Sequence, residues 1–344
     1  MTISSYYYSN HKMTARKDRF LWFSSFLCHF NLQPAKMGWC IQFNNMKKIL
    51  LSFCILFCLQ ETMGCDICGC SSGNYFIGTF PQFRKHFFGA RYTFRSFHSR
   101  VAGDPTQFSK DFYQTTEVWT GVNVGRKWQV LMFIPFNINK QSSDDGIKKN
   151  NGLGDVSFIA NFNLINTRKG DKHDHMVSQQ LWIGGGLKLP TGKFSVNANE
   201  IVPDANNQAG SGSVDYILNT MYTLHINDWG INTNLNYKIN KDADHYKFGN
   251  RLSSGAFIFR SLYNGKTTFI PNMGVLFEHL DANQLNRIKV EDTGGKAFLG
   301  SAGLDINFKK VAIGFNAQLP ISQNFSNDQT AAGIRGMAHV TFIF

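Results

Sequence analysis

Apolar and polar residues alternate along most of the chain after His86. The alternation is clearest between Trp229 and Lys238. Its apolar positions are Trp229, Ile231, Leu235 and Tyr237, and its polar positions are Asn232, Asn234, Asn236 and Lys238. Because successive side chains of a strand point to opposite faces, this segment predicts a β-strand with one apolar and one polar face. Twelve segments of about ten residues repeat the pattern, which is typical of an all-β protein.

The chemistry of the two faces favours a barrel in a membrane. A soluble barrel buries the apolar side chains that point inward. In the segment from Trp229 to Lys238, the polar face is a ladder of Asn and Lys, which suits a water-filled lumen. The apolar face then suits contact with lipid. We therefore predict a transmembrane antiparallel up-and-down β-barrel of about twelve strands over residues 86–344.

The connections between the segments are predicted to alternate in length. Short connections are expected at 125–127, 166–176, 225–228, 263–266 and 309–310. Long connections are expected at 99–110, 138–152, 190–212, 239–251, 280–292 and 321–332. Transmembrane barrels have short periplasmic turns and long extracellular loops. An even number of strands then predicts that both termini lie in the periplasm and that the barrel lies in a bacterial cell outer membrane.

The N-terminal region carries a targeting signal. Mean hydropathy is -0.22, which argues against a helical membrane protein. Lys47 and Lys48 precede a short apolar run that ends at Leu59, and this arrangement is typical of a secretory signal peptide. We assign the signal peptide to 46–64, with Met46 as the expected start and 1–45 as a non-native upstream extension. Residues 65–85 are then a Cys-containing periplasmic segment.

The last predicted strand ends on an aromatic residue, Phe344. This ending resembles the closing strand of bacterial outer-membrane β-barrels, and it implies contact with the barrel-assembly machinery. The alternative is a soluble barrel or sandwich that ends on a buried strand. The alternation of faces and connections favours the membrane protein.

Three glycine-rich motifs carry a further resemblance. They are Gly152-Leu153-Gly154-Asp155, Leu187-Lys188-Leu189-Pro190-Thr191-Gly192 and Gly210-Ser211-Gly212-Ser213-Val214-Asp215. Their order resembles the outer-membrane transporter family of the phenol-degradation meta-pathway, which is distantly similar to long-chain fatty acid channels. The resemblance implies a channel for a small solute, including a hydrophobic one. Gly and Pro-Thr-Gly mark sharp strand ends, so the motif residues are expected at the rim of the barrel, where Asp155 and Asp215 would pair with a basic side chain.

Basic side chains are expected inside the barrel. The predicted lumen-lining residues are Arg91, Arg95, Lys188, Lys238, Arg335 and His339. Rings of positive charge favour anionic solutes. Alternatively, these side chains pair with Glu117, Asp155, Asp215 and Glu278 and fill a closed barrel.

Cysteines are confined to the N-terminal part, because all seven lie at or before Cys70. Cys65, Cys68 and Cys70 could hold one soft ion, copper or zinc, and His173 or His175 is a candidate further ligand. A disulfide, a redox Cys-x-x-Cys pair and a lipid-modified Cys65 are the alternatives. The sequence has no Cys-x-x-Cys-His, so covalent haem is not indicated.

These features favour a non-enzymatic outer-membrane transporter whose partners are lipid and a small solute. Two other functions stay open, namely a metal-handling protein that uses the Cys cluster and an outer-membrane lipid hydrolase. The hydrolase would require a Ser and His pair at the rim, and the sequence alone does not place a serine beside His279 or His339. Nucleic-acid binding is not expected, because the net charge of +12 is spread among acidic residues.

Overall fold

The computed structural model describes residues 85–101, 104–143, 146–167, 177–194 and 207–344. Nearly all of them lie in strands. The strands are β1 (Phe87–Val101), β2 (Asp104–Val124), β3 (Trp128–Ser143), β4 (Gly146–Leu153), β5 (Ser157–Asn166), β6 (Val177–Lys188), β7 (Asp215–Ile226), β8 (Trp229–Ile239), β9 (Asp242–Ala243), β10 (Tyr246–Lys247), β11 (Arg251–Arg260), β12 (Leu262–Asn264), β13 (Thr267–Leu280), β14 (Gln284–Leu285), β15 (Ile288–Lys289), β16 (Gly295–Asn307), β17 (Val311–Phe325) and β18 (Thr330–Ile343). A single 3₁₀ turn, Ser326–Asp328, lies between β17 and β18 in the described part of the chain. Within the same ranges, no helix is long and apolar enough to cross a membrane.

The long strands form one closed antiparallel barrel. Each pairs with its neighbours in the chain, β11 pairs with β13, and β1 pairs with β18. β4 and β5 follow one another along β3 and count as one wall strand, so the barrel has twelve strands. The predicted fold class is confirmed. β18 ends at Ile343, and the amide of Phe344 still donates a hydrogen bond of 3.0 Å to the carbonyl of His86.

The two faces of the wall differ as the alternation predicts. Apolar side chains such as Phe158, Leu235 and Phe315 are exposed on the outer face. Polar side chains such as Asn161 and Asn232 are buried inside. An apolar outer band and a polar interior are the arrangement of outer-membrane barrels.

Three of the six predictions of a long connection are wrong, because strands occupy most of those segments. β1 and β2 pair through most of 99–110, β3 and β4 pair through most of 138–152, and β17 and β18 extend into 321–332. The strands continue through these three segments because antiparallel backbone hydrogen bonds can extend a hairpin beyond the membrane. An extension outside the membrane does not require an apolar face. The apolar pattern marks only the part of each strand that would lie against lipid.

Two of the other long connections, 239–251 and 280–292, form hairpins at the same end of the barrel. Hairpin β9–β10 follows β8, hairpin β14–β15 follows β13, and the two pair into a small four-stranded sheet. Tyr246, Phe248 and Val290 form a buried apolar cluster at these hairpins. We call this end the loop end and the opposite end the turn end.

A loop enters the lumen from the loop end. Gln208 and Ala209 are buried, and their carbonyls accept hydrogen bonds from Asn139 Nδ2 (3.2 Å) and Asn137 Nδ2 (2.9 Å) on the inner face of β3. We call residues 207–213 the inward loop. It narrows the lumen at this end.

The interior is less uniformly polar than the alternation predicts. Aromatic and aliphatic side chains form a buried cluster inside the barrel. Its buried members are Phe87, Trp119, Leu131, Phe133, Ile159, Ile217 and Ala312. Gly121 lies beneath the ring of Phe87, where a Cβ atom would collide with the ring. Small residues therefore leave space for large inward rings, and polar groups occupy the rest of the lumen.

Candidate functional site

A buried lysine between two carboxylates lies at the loop end of the lumen. Lys188 is the last residue of β6, Asp215 is the first of β7, and Asp155 lies just before β5. Lys188 Nζ is 2.7 Å from Asp155 Oδ2 and 2.6 Å from Asp215 Oδ2. All three side chains are almost fully buried. We call them the rim cluster, and Lys188 is the basic residue that neighbours both motif carboxylates.

The rim cluster is built by the three glycine-rich motifs. Asp155 accepts hydrogen bonds from the backbone amides of Gly192 (2.9 Å) and Ser211 (2.8 Å). The Ser211 hydroxyl contacts Lys188 Nζ, and Ser213 Oγ donates to Asp215 Oδ1 at 2.7 Å. The motifs therefore fix the inward loop to the ends of the strands.

The remaining motif residues shape this junction. Thr191 Oγ1 donates to the carbonyl of Gly154 at 3.0 Å and accepts from the amide of Val156 at 2.9 Å. Gly192 and Gly210 approach each other so closely that a Cβ atom on Gly210 would lie 2.6 Å from the carbonyl oxygen of Gly192. Pro190 is exposed beside them, Gly152 pairs with Asn137 in the wall, and Gly212 has a φ of 69° that favours glycine.

A second group of charges lies on the inner face of the wall. Glu278 Oε1 accepts from Arg335 Nη1 at 2.9 Å, and Glu278 Oε2 accepts from Arg251 Nη2 at 3.3 Å. Arg95 is directly opposite Arg335 across the β1–β18 pair. We call Arg95, Arg251, Arg335 and Glu278 the arginine cluster.

Two further ion pairs occupy the inner face. Arg91 pairs with Glu117 on the neighbouring strand, and its guanidinium lies 5.6 Å from the centre of the Trp119 ring. His339 Nε2 lies 3.0 Å from Asp305 Oδ1. Many of the interior charges are thus paired, as in the alternative in which they fill the barrel.

The six predicted lumen-lining residues all lie on the inner face, but sequence reasoning missed Arg251 and Asp305. The sequence of β11 shows no clear alternation, because Phe257, Ile258 and Phe259 are all apolar; in the structure Phe257 and Phe259 point inward and Ile258 points outward. Counting back in steps of two from Phe257 would have placed Arg251 inside. Asp305 could have been found in the same way on β16.

The predicted metal ligands cannot be placed. Cys65, Cys68, Cys70, His173 and His175 lie outside the described residues, so the copper or zinc site stays a prediction. Within the described ranges, no group of three or more His, Cys, Asp or Glu side chains is arranged to hold a metal ion.

Comparison with solved structures agrees with this architecture. An outer membrane channel from Pseudomonas putida F1 superposes with a TM-score of 0.56 at 13% identity, over 80% of this chain and 99% of that chain. The NanC porin gives a TM-score of 0.41 at 11% identity, over 75% of this chain and 100% of that chain. No family model and no curated protein matches the sequence.

The likeness to the Pseudomonas channel shows that this chain has the fold of an outer-membrane β-barrel channel. The resemblance to an outer-membrane transporter family is therefore confirmed at the level of the fold.

Proposed function

We propose that the protein is an outer-membrane channel that admits a small solute into its charged lumen. The observation that carries this proposal is the concentration of buried charged side chains on the inner face, which the fold alone does not require. Buried ion pairs are weak sources of stability, because desolvation offsets much of their attraction. Their concentration along the lumen is better explained by a polar path for solute through the barrel.

The chemistry of the lumen bears on the solute. The transporter resemblance implies a small solute, including a hydrophobic one, and the interior offers aromatic rings such as Trp119 and Phe133. The rim and arginine clusters offer charged groups along the same path. A solute with an apolar body and one polar or ionised group would match both kinds of surface.

The two ends of the barrel support an orientation in the membrane. The turns between β2 and β3 and between β7 and β8 are short and lie at the turn end, where His86 and Phe344 also meet. We place this end in the periplasm of a bacterial cell outer membrane, since periplasmic turns are short in such barrels. The strand before Phe344 would be the part that the barrel-assembly machinery contacts.

Loosening the inward loop should increase conductance. The double substitution Asn137→Ala, Asn139→Ala removes the two side-chain hydrogen bonds that hold the carbonyls of Ala209 and Gln208. The loop should then leave the lumen more often, and single-channel conductance in planar bilayers should rise above that of the wild type.

Ile138→Ala provides the control on the same strand, because Ile138 lies between the two asparagines and faces outward. It should leave the conductance unchanged. A wild-type protein that forms folded barrels but carries no current, with the double variant equally silent, would count against a channel.

A further inference from the structure

The basic groups of the rim cluster and the arginine cluster, together with Lys238, outnumber the carboxylates that they face. Lys238 lies opposite Arg251 across the β8–β11 pair and opposite Ile217 on β7, two residues after Asp215, so it links the arginine cluster to the rim cluster. The resulting belt contains Lys188, Lys238, Arg95, Arg251 and Arg335, together with Asp155, Asp215 and Glu278. It therefore holds five cationic side chains and three carboxylates.

The register places like charges opposite each other in this belt. Arg95 faces Arg335 across the β1–β18 pair, and Lys238 faces Arg251 across the β8–β11 pair. Like charges directly opposite on neighbouring strands are destabilising. Such an arrangement gains most from a negatively charged group that comes between them.

Glu278 balances only part of the positive charge of these arginine and lysine side chains. Its two oxygens are already directed to Arg335 and Arg251. Among the described residues, no carboxylate forms an ion pair with Arg95. The Nε atoms of Arg251 and Arg335 are also buried, and neither has a hydrogen-bond partner among the described residues.

Beside Arg95 there is space for a small group. A cavity of about 50 Å³ is bordered by Arg91, Arg95, Arg335, Thr115 and Gln318. A cavity needs roughly 10–15 Å³ to hold one water molecule, so this space accepts several waters or a group the size of a carboxylate. Glu117 also borders the cavity, and it is paired with Arg91.

We propose that Arg95 and Arg335 form a binding site for a small anion, of carboxylate size, and that the channel consequently favours anions. This inference rests on the proposed channel function. A guanidinium presents paired N–H donors that match the two oxygens of a carboxylate. Rings of Arg and Lys are the usual means by which pores select anions.

Two measurements on the full-length protein test the site. Acetate binding to the detergent-solubilised barrel is followed by saturation-transfer NMR, and ion preference is read from the reversal potential in a potassium chloride gradient across a planar bilayer. The wild type should bind acetate and show a reversal potential near that of chloride. Arg95→Gln should lose the acetate signal and shift the reversal potential towards that of potassium.

Two control variants separate the effect of Arg95 from that of losing any arginine. Arg260→Gln removes an arginine from the exposed outer face, and it should behave as the wild type. Arg95→Lys keeps the charge and should retain anion preference. Heat modifiability on a gel confirms that each variant is folded, and Arg95→Gln should fold because it removes one of two opposed like charges.

The outcomes separate this inference from the channel proposal. Current without anion preference, or acetate binding that survives Arg95→Gln, would overturn the anion site and leave the channel standing. Acetate binding that depends on Arg95 in a barrel that carries no current would support the site and refute the channel.

Discussion

Replacing Lys188 by methionine should destabilise the barrel by about 3–5 kcal/mol, the usual cost of removing one partner from a buried ion pair. The substitution leaves Asp155 and Asp215 buried without their shared cation. The loss of the Lys188 contact to Ser211 should also free the inward loop. The free energy of unfolding, measured by urea titration of the refolded barrel, checks this expectation.

Lys241→Met is the matched control. Lys241 lies at the same end of the barrel but is exposed, and its side chain rests over the ring of Tyr216. Its replacement should change the free energy of unfolding by far less. The triple substitution Lys188→Met, Asp155→Asn, Asp215→Asn removes all three buried charges and should recover part of the stability. Equal losses for Lys188→Met and Lys241→Met would contradict the role of the rim cluster.

Arginine at position 235 should impair assembly far more than arginine at position 234. Leu235 is 47% exposed on the apolar outer face, whereas Asn234 lies on the inner face of the same strand. Arginine on the lipid face near the bilayer midplane costs about 2–4 kcal/mol. The fraction of folded barrel after refolding into lipid vesicles, read as heat modifiability on a gel, measures the difference.

Leu235→Ala distinguishes the charge from the loss of the leucine side chain. It keeps the outer face apolar and should assemble nearly as well as the wild type. If Leu235→Arg and Asn234→Arg assembled equally well, the outer face of β8 would not be in contact with lipid.

The sequence predicted the wall of the barrel better than its interior. Alternation suffices to place Phe158 outside and Asn161 inside, because the two faces of β5 meet different solvents. It fails at β11, where Phe257 and Phe259 fill the lumen and Ile258 meets lipid. Hydrophobicity alone cannot separate an aromatic ring packed inside from an aliphatic chain exposed to lipid.

The candidate site was only partly predictable for a related reason. Lys188 could be recognised as an inward-facing cation, and its carboxylate partners stood in recognisable motifs. The inward loop could not be predicted, because it is held by Asn137, which donates to a carbonyl 72 residues away along the chain. The local sequence does not indicate such a bond, because an asparagine on a polar face gives the same pattern whether its side chain contacts water or a backbone carbonyl.

The pairing of the first and last wall strands has a consequence for the order of folding. Thr330 on β18 donates to Ser99 on β1 across 231 residues, so the seam closes only after every intervening strand has been made. Contacts so distant in sequence make folding slow. Until the barrel closes, β1 exposes a row of unpaired backbone N–H and C=O groups, and such an edge promotes aggregation. The edge of β1 therefore needs protection in the nascent chain until β18 is available. A chain truncated before Thr330 should remain an unclosed sheet, however long it is left to refold.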